Sequence, residues 1–211
     1  MIQKPDSLIF DMDGTLWDAG DCYTAAWNKG LKLMNVDKVF ERSTLDHLMG
    51  WERKKALEYI LPEYNENDRE AIYEAVVKAQ DEMIPVTGGK MYEGVKEGLR
   101  ALSKVYSLFI VSNCPKDTIK QFIKWAGISS YITDEMAHGV NSRPKDYNIR
   151  LLMDQYQLKQ PVYIGDTEGD QIQSEKAGLP FVFVSYGFGT TDKYELKFDS
   201  FTDLTRYFLS L

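Results

Sequence analysis

Short apolar runs that each stop at a polar or acidic turn, separated by helical patterns, constrain this chain more than any other feature. Residues 8–10 form the first run and halt at Asp11-Met12-Asp13-Gly14-Thr15. Residues 107–111 end at Ser112-Asn113, residues 162–164 at Gly165-Asp166, and residues 181–184 form a fourth run. Between them, residues 95–104, 117–126 and 147–156 repeat apolar side chains at intervals of three and four, the period of a helix with one buried face. Strands alternating with helices imply an α/β fold built on a parallel sheet, since parallel neighbours need crossover connections.

Residues 17–85 break this alternation. They contain no strand run and predict successive helices, with Asp21 and Ser43 as candidate caps and Asn67 or Asp68 opening a helix through Met83. This stretch leaves the main chain directly after the first acidic turn and returns at Val86-Thr87-Gly88-Gly89. The expected organisation is an α/β core from residues 1–16 and 86–211, with residues 17–85 inserted as an all-helical cap over the turn.

Composition narrows the partners. The chain has 211 residues and a formal net charge of −7, without a basic cluster, which argues against nucleic acid. An acidic protein that binds a phosphate needs local positive charge from a metal, a lysine or backbone N–H groups. Cys22 and Cys114 are the only cysteines, too few and too isolated for a disulfide framework or a zinc site, and Cys114 is expected to be a small buried filler. With no membrane-length apolar run and no signal-like start, a cytoplasmic location is expected.

In open α/β sheets ligands bind beyond the carboxyl ends of the strands, where Asp11, Asp13, Ser112, Asn113, Asp166 and Asp170 all fall. Carboxylates gathered at one edge repel unless a cation balances them, and an all-oxygen setting suits magnesium. Asp-x-Asp-Gly alone is also a common turn, and it opens some calcium loops, but the residues after Thr15 do not supply a calcium loop's further ligands. Gly88-Gly89-Lys90 lacks the spacing of a P-loop, and Gly187-x-Gly189 is too short a signal for nucleotide binding.

Taken in order, Asp11-Met12-Asp13-Gly14-Thr15, Ser112-Asn113, a cation near Lys145, and Gly165-Asp166-Thr167-Glu168-Gly169-Asp170 resemble the motifs of the haloacid dehalogenase-like phosphohydrolase superfamily. The inserted helices resemble the cap of its phosphoglycolate phosphatase and β-phosphoglucomutase branch. The resemblance implies a Rossmann-like core and a magnesium-dependent phosphatase of a small phosphorylated metabolite. Asp11 would be the nucleophile, forming an aspartyl-phosphate, and Asp13 the general acid and base. Magnesium would be held by Asp11, Asp166 and the Asp13 carbonyl, with Asp170 direct or through water. Phosphoryl oxygens would meet Ser112, Asn113, Lys145 and N–H groups around Gly14 and Thr15. In Ser142-Arg143-Pro144-Lys145, Arg143 is the alternative cation. His47, Gly50, Trp51, Arg53 and Lys54 form the stretch that resembles a specificity loop. A sugar phosphomutase is the alternative activity, and a non-catalytic phosphate-binding module a more distant one. The oligomeric state is not legible in the sequence.

Overall fold

The computed structural model describes residues 2–211. Six strands, β1 (Ser7–Phe10), β4 (Ser107–Ser112), β5 (Asp134–Ala137), β6 (Pro161–Gly165), β7 (Phe181–Val184) and β8 (Leu196–Phe198), form one parallel sheet in the order β5-β4-β1-β6-β7-β8. The oldest consequence of strand geometry, that successive side chains point to opposite faces, divides the core in two. Leu8, Phe10, Leu108 and Ile110 join Leu99 of α5 (Val95–Leu102), Phe122 of α6 (Thr118–Ala126) and Phe208 of α10 (Phe201–Leu209). Ile9, Phe109, Val111 and Tyr163 pack on the other face against Ile149 and Leu152 of α8 (Lys145–Tyr156) and Ala177 of α9 (Glu168–Ala177). The near-continuous apolar character of β1 and β4 follows from this covering of both faces.

The expected α/β architecture is thus the observed one, and the order of the central strands sets what comes next. β1 lies between β4 and β6, with Phe10 paired to Ile110 on one side and to Ile164 on the other. Asp11, Ser112 and Asp166, the residues that follow or end these strands, are therefore delivered to one edge by backbone register alone.

The helical layer comprises α1 (Gly20–Leu33), α2 (Arg42–Asp46), α3 (Arg53–Ile60) and α4 (Glu66–Thr87). It has its own apolar cluster, including Leu31, Phe40, Leu57 and Ile72, separate from both faces of the sheet. The α1–α4 contact is close at Gly30, where a Cβ would lie 2.6 Å from the Val76 side chain. The layer leaves and returns through a two-stranded antiparallel tether in which β2 (Trp17–Asp18) pairs with β3 (Lys90–Met91).

Several helix starts differ from expectation. The α1 cap position is Ala19, and an Asp18 carboxylate oxygen, not Asp21, accepts from the Gly20 N–H at 3.0 Å. Glu41 precedes α2, so Ser43 lies inside it. Asn65, rather than Asn67 or Asp68, caps α4 by accepting from the Asp68 N–H at 3.0 Å, which leaves the acids Glu66 and Asp68 in the first turn where the helix dipole favours them. That helix also runs past Met83 and through Pro85 to Thr87. Pro85 is exposed in the last turn, where the hydrogen bond it forfeits leaves a carbonyl that water can reach. The remainder of the sheet edge, β5 and β8, and helix α10 had no counterpart among the sequence expectations.

The burial pattern gives a direct stability test. Phe109→Ala, at a fully buried position between two strands, is expected to cost about 3–5 kcal/mol, whereas Leu33→Ser, 61% exposed, should stay within about 0.5 kcal/mol. Urea denaturation of the two variants reads the difference, and equal midpoints would contradict the core assignment.

Candidate active site

The turn after β1 is built around the Asp166 carboxylate. Gly14 has φ +88°, and a Cβ there would sit 2.1 Å from Asp166 Oδ2, so glycine serves both the left-handed backbone and the close approach. The Thr15 hydroxyl donates to Asp166 Oδ1 at 3.3 Å, and the Phe188 N–H donates to Oδ2 at 2.7 Å. Asp11, Asp166 and Asp170 are all buried, and each offers an oxygen within 4.8 Å of the others.

Lys145 is the one cation among them. Only 2% exposed at the start of α8, it donates to Asp11 Oδ1 at 2.8 Å and to Asp170 Oδ1 at 2.6 Å. Burial opposes its charge, but the two carboxylates overcome this and hold the ammonium well above its ordinary range. Arg143, the alternative cation, is exposed and lies over the Tyr147 ring. Asp170 is held from every side: Tyr163 donates to Oδ1, and the Thr167 hydroxyl and N–H donate to Oδ2 at 2.7 and 3.1 Å. Thr167 in turn accepts from the Asp170 N–H, so the residue that grips Lys145 also closes the capping box of α9.

Asp11 and Asp13 stand two residues apart in unlike settings. Burial raises the Asp11 carboxyl to about 7, with Lys145 pulling it down and Asp170 pushing it up. Burial also raises Asp13, to about 6, against the hydrogen bonds of Tyr23 and Trp17. Both donors, the Tyr23 hydroxyl and the Trp17 indole N–H, reach the same oxygen, Oδ1, at 2.9 Å. Oδ2 has no hydrogen-bond partner among the described residues. Neither Trp17 nor Tyr23 was singled out from the sequence. The one available signal was the i, i+4 spacing of Asp13 and Trp17, since Tyr23 arrives from the helical layer.

One hydrogen bond and one cavity join that layer to the edge. Asn113 Nδ2 donates to the Gly50 carbonyl at 3.0 Å, and a cavity of about 130 Å3 lies between them, bounded below by Asp11, Asp13 and Ser112 and above by residues including Trp51 and Arg53. His47 lines an adjoining cleft, which shares Gly50, Trp51 and Asn113 with the cavity, and groups with Trp51 and Tyr59. Lys54 is exposed and paired with Glu66 at 2.9 Å, directed away from the cavity, because its position on α3 faces the start of α4. The Gly14 N–H, expected to meet a phosphoryl oxygen, is instead committed to the Trp17 carbonyl at 2.9 Å, which closes the turn.

The donor set suits a divalent cation. Three buried carboxylates face one ammonium, which leaves negative charge that only a further cation or protons can balance.

Comparison with known proteins agrees with this arrangement. The profile of the haloacid dehalogenase-like hydrolase family matches residues 8–184. A probable phosphatase IndB of Dickeya dadantii is 28% identical over 196 residues, covering 88% of this chain and 84% of the relative. A phosphoglycolate phosphatase of Colwellia psychrerythraea is 27% identical, with 96% of each chain covered. In structure, a haloacid dehalogenase-like family hydrolase from Streptococcus pneumoniae superposes with a TM-score of 0.85 at 19% identity, over 97% of this chain and 99% of that one.

The raised carboxyls tie stability to pH and metal. Asp11 and Asp13 titrate near 7 and 6 when folded, against 3.8 ordinarily, so the folded state binds protons more tightly. The stability this supplies is complete below about pH 4 and is lost as pH rises through 6 and 7. A divalent cation at Asp11, Asp166 and Asp170 would replace the proton on Asp11, so adding magnesium chloride in place of chelator should raise the melting temperature at pH 7.5 by about 2–4 °C for each kcal/mol gained, and by less at pH 5. An equal shift at both pH values in a thermal melt would contradict this account.

Proposed function

We propose that this chain, which belongs to the haloacid dehalogenase-like hydrolases, is a magnesium-dependent phosphatase of small phosphate monoesters that works through an aspartyl-phosphate on Asp11. The observation that carries the reading is the unlike setting of two carboxyls two residues apart. Asp11 faces an ammonium, and Asp13 faces two neutral donors. The ammonium, joined by a bound cation, would hold Asp11 ionised as the nucleophile against the rise that burial gives it, and Asp13, buried and hydrogen-bonded only to neutral donors, would carry the proton of the acid.

The steps follow from the donors. An oxygen of Asp11 attacks phosphorus as the ester P–O bond breaks, and Asp13 gives its proton to the departing alkoxide. Because Tyr23 and Trp17 both donate to Oδ1, that oxygen is an acceptor, and the transferable proton resides on Oδ2. Water then attacks phosphorus in the acyl phosphate, Asp13 takes up the proton of that water, and the bond to Asp11 breaks to release phosphate. Lys145 keeps Asp11 oriented and, with Ser112 and Asn113, meets the phosphoryl oxygens. Asp170 orients Lys145. Magnesium, held by Asp11, Asp166 and the Asp13 carbonyl, with Asp170 direct or through water, would neutralise phosphoryl charge. Residues 17–85 act as the cap domain over a core of residues 1–16 and 86–211, excluding bulk water from the acyl phosphate. The phosphoglycolate phosphatase and probable phosphatase among its relatives support this reaction class.

Phosphate release from small esters, measured with magnesium and with chelator, tests the proposal. Asp11→Asn should abolish turnover with the fold intact by circular dichroism, and Asp13→Asn should lower kcat by about 10²–10⁴-fold. Substantial phosphate release by pure Asp11→Asn would sink the mechanism. Conversion of a sugar phosphate to its isomer without phosphate release would transfer the same chemistry to a mutase.

A further inference from the structure

Resting on the phosphatase reading, we propose that the alcohol released from the substrate is small, uncharged and predominantly apolar. The cavity above Asp11 and Asp13 decides this. Its far wall is formed by Trp27, Leu45, Leu48, Leu57, Ile60 and Tyr73. Four of these are aliphatic and two are aromatic, and they come from α1, α2, the turn after it, α3 and α4, so the whole helical layer contributes an apolar surface.

Among the described groups that line the cavity, Arg53, Tyr23 and Asn113 have partners within the protein, which leaves the Tyr73 hydroxyl and the indole N–H groups of Trp27 and Trp51 as its few free donors. Arg53 is the one cation lining it. Its guanidinium lies 3.6 Å from Glu70 and 5.5 Å from the centre of the Tyr73 ring, so a substrate carboxylate would compete with a carboxylate in place. Tyr23 donates to Asp13, and Asn113 donates to Gly50. A sugar entering this space would have more hydroxyls than these three donors can meet and would bury the rest against Leu and Ile side chains, which is costly, whereas an apolar group gains by leaving water. His47 and Lys55, which could recognise an anion, line an adjoining cleft of about 660 Å3 that meets the cavity at Met49, Gly50, Trp51 and Asn113, and neither lines the cavity itself.

Size sets a second limit. At about 130 Å3 the cavity is close to an apolar cavity of about 150 Å3 that takes up benzene, and because Asp11 and Ser112 line it the phosphoryl group takes part of that space. A short branched chain or one ring is therefore the upper limit for the alcohol, and a nucleoside exceeds it.

The test compares kcat/KM of the magnesium-loaded wild-type protein for benzyl phosphate, isobutyl phosphate, phosphoglycolate and glucose 6-phosphate. All four release an aliphatic alkoxide that requires protonation, so the comparison reads the cavity and not the leaving group. Benzyl phosphate is expected to exceed phosphoglycolate and glucose 6-phosphate by about tenfold or more. Ala56→Leu places a good helix former where α3 lines the cavity, and should lower the ratio of benzyl to methyl phosphate hydrolysis by about tenfold, with an unchanged melting temperature as the control for folding. Preference for phosphoglycolate or glucose 6-phosphate would overturn the inference and leave the phosphatase reading standing. Release from none of the esters would overturn both.

Discussion

The Lys145 ammonium, shared between Asp11 and Asp170, is the contact on which the rest of the catalytic edge depends. Buried charges are tolerated only when paired and hydrogen-bonded, and here a single lysine serves two carboxylates while a third, Asp166, is satisfied by Thr15 and Phe188. Removing the lysine would leave two buried anions facing each other, a loss far greater than that of a surface ion pair. The same lysine fixes α8 relative to the strand edge, because it projects from the first residue of that helix across to β1 and α9. Fold and site are therefore stabilised by one set of contacts.

Those contacts form because of strand order. β1 is flanked by β4 and β6, so the turns that follow three strands meet at one edge without any long excursion of the chain. The price is a concentration of negative charge, and the edge counters it twice: by raised proton affinity at Asp11, Asp13 and Asp166 and by a donor set that suits a cation. At Asp11 and Asp166 protons and a cation would compete for the same oxygens, which makes the site's charge state responsive to both.

Much of this was legible in the sequence, and the boundary of legibility has physical causes. The four apolar runs were readable because their strands are buried on both faces and carry no competing pattern. β5 was not, since Asp134-Glu135-Met136-Ala137 lies at the sheet edge and begins with two acids, and β8 has only three residues around Lys197. The cation came only with the family resemblance, which left Arg143 beside Lys145, whereas Asp11, Asp13 and Asp166 could be placed from the turns that end their strands. Trp17 and Tyr23 could not, because their contact with Asp13 needs the tether and α1 to fold back over the turn. The cap residues divide in the same way: Gly50, Trp51 and Arg53 reach the cavity, while Lys54, one position along the same helix from Arg53, rotates about 100° away to meet Glu66.

The helical layer is held unevenly. Near the tether, Arg42 binds Asp18, Asp21 and Asp46 at 2.5, 2.9 and 3.1 Å, and Gln121 of α6 donates to Asp81 of α4 at 2.7 Å. Trp17, packed at tilted angles against Phe122 and Trp125 at 4.7 and 5.6 Å between ring centres, anchors the same end in the core. Over the site, the direct side-chain hydrogen bond is the one from Asn113 to the Gly50 carbonyl. A neutral hydrogen bond of this kind contributes about 0.5–1.5 kcal/mol net, little more than thermal energy. The end that carries Tyr23 to Asp13 is thus fixed, whereas the loop that closes the cavity separates at small cost. On the proposed mechanism a substrate would enter past Gly50 without disturbing the Tyr23 and Trp17 hydrogen bonds to Asp13, because the weak and the strong attachments of the helical layer fall on different residues around one cavity.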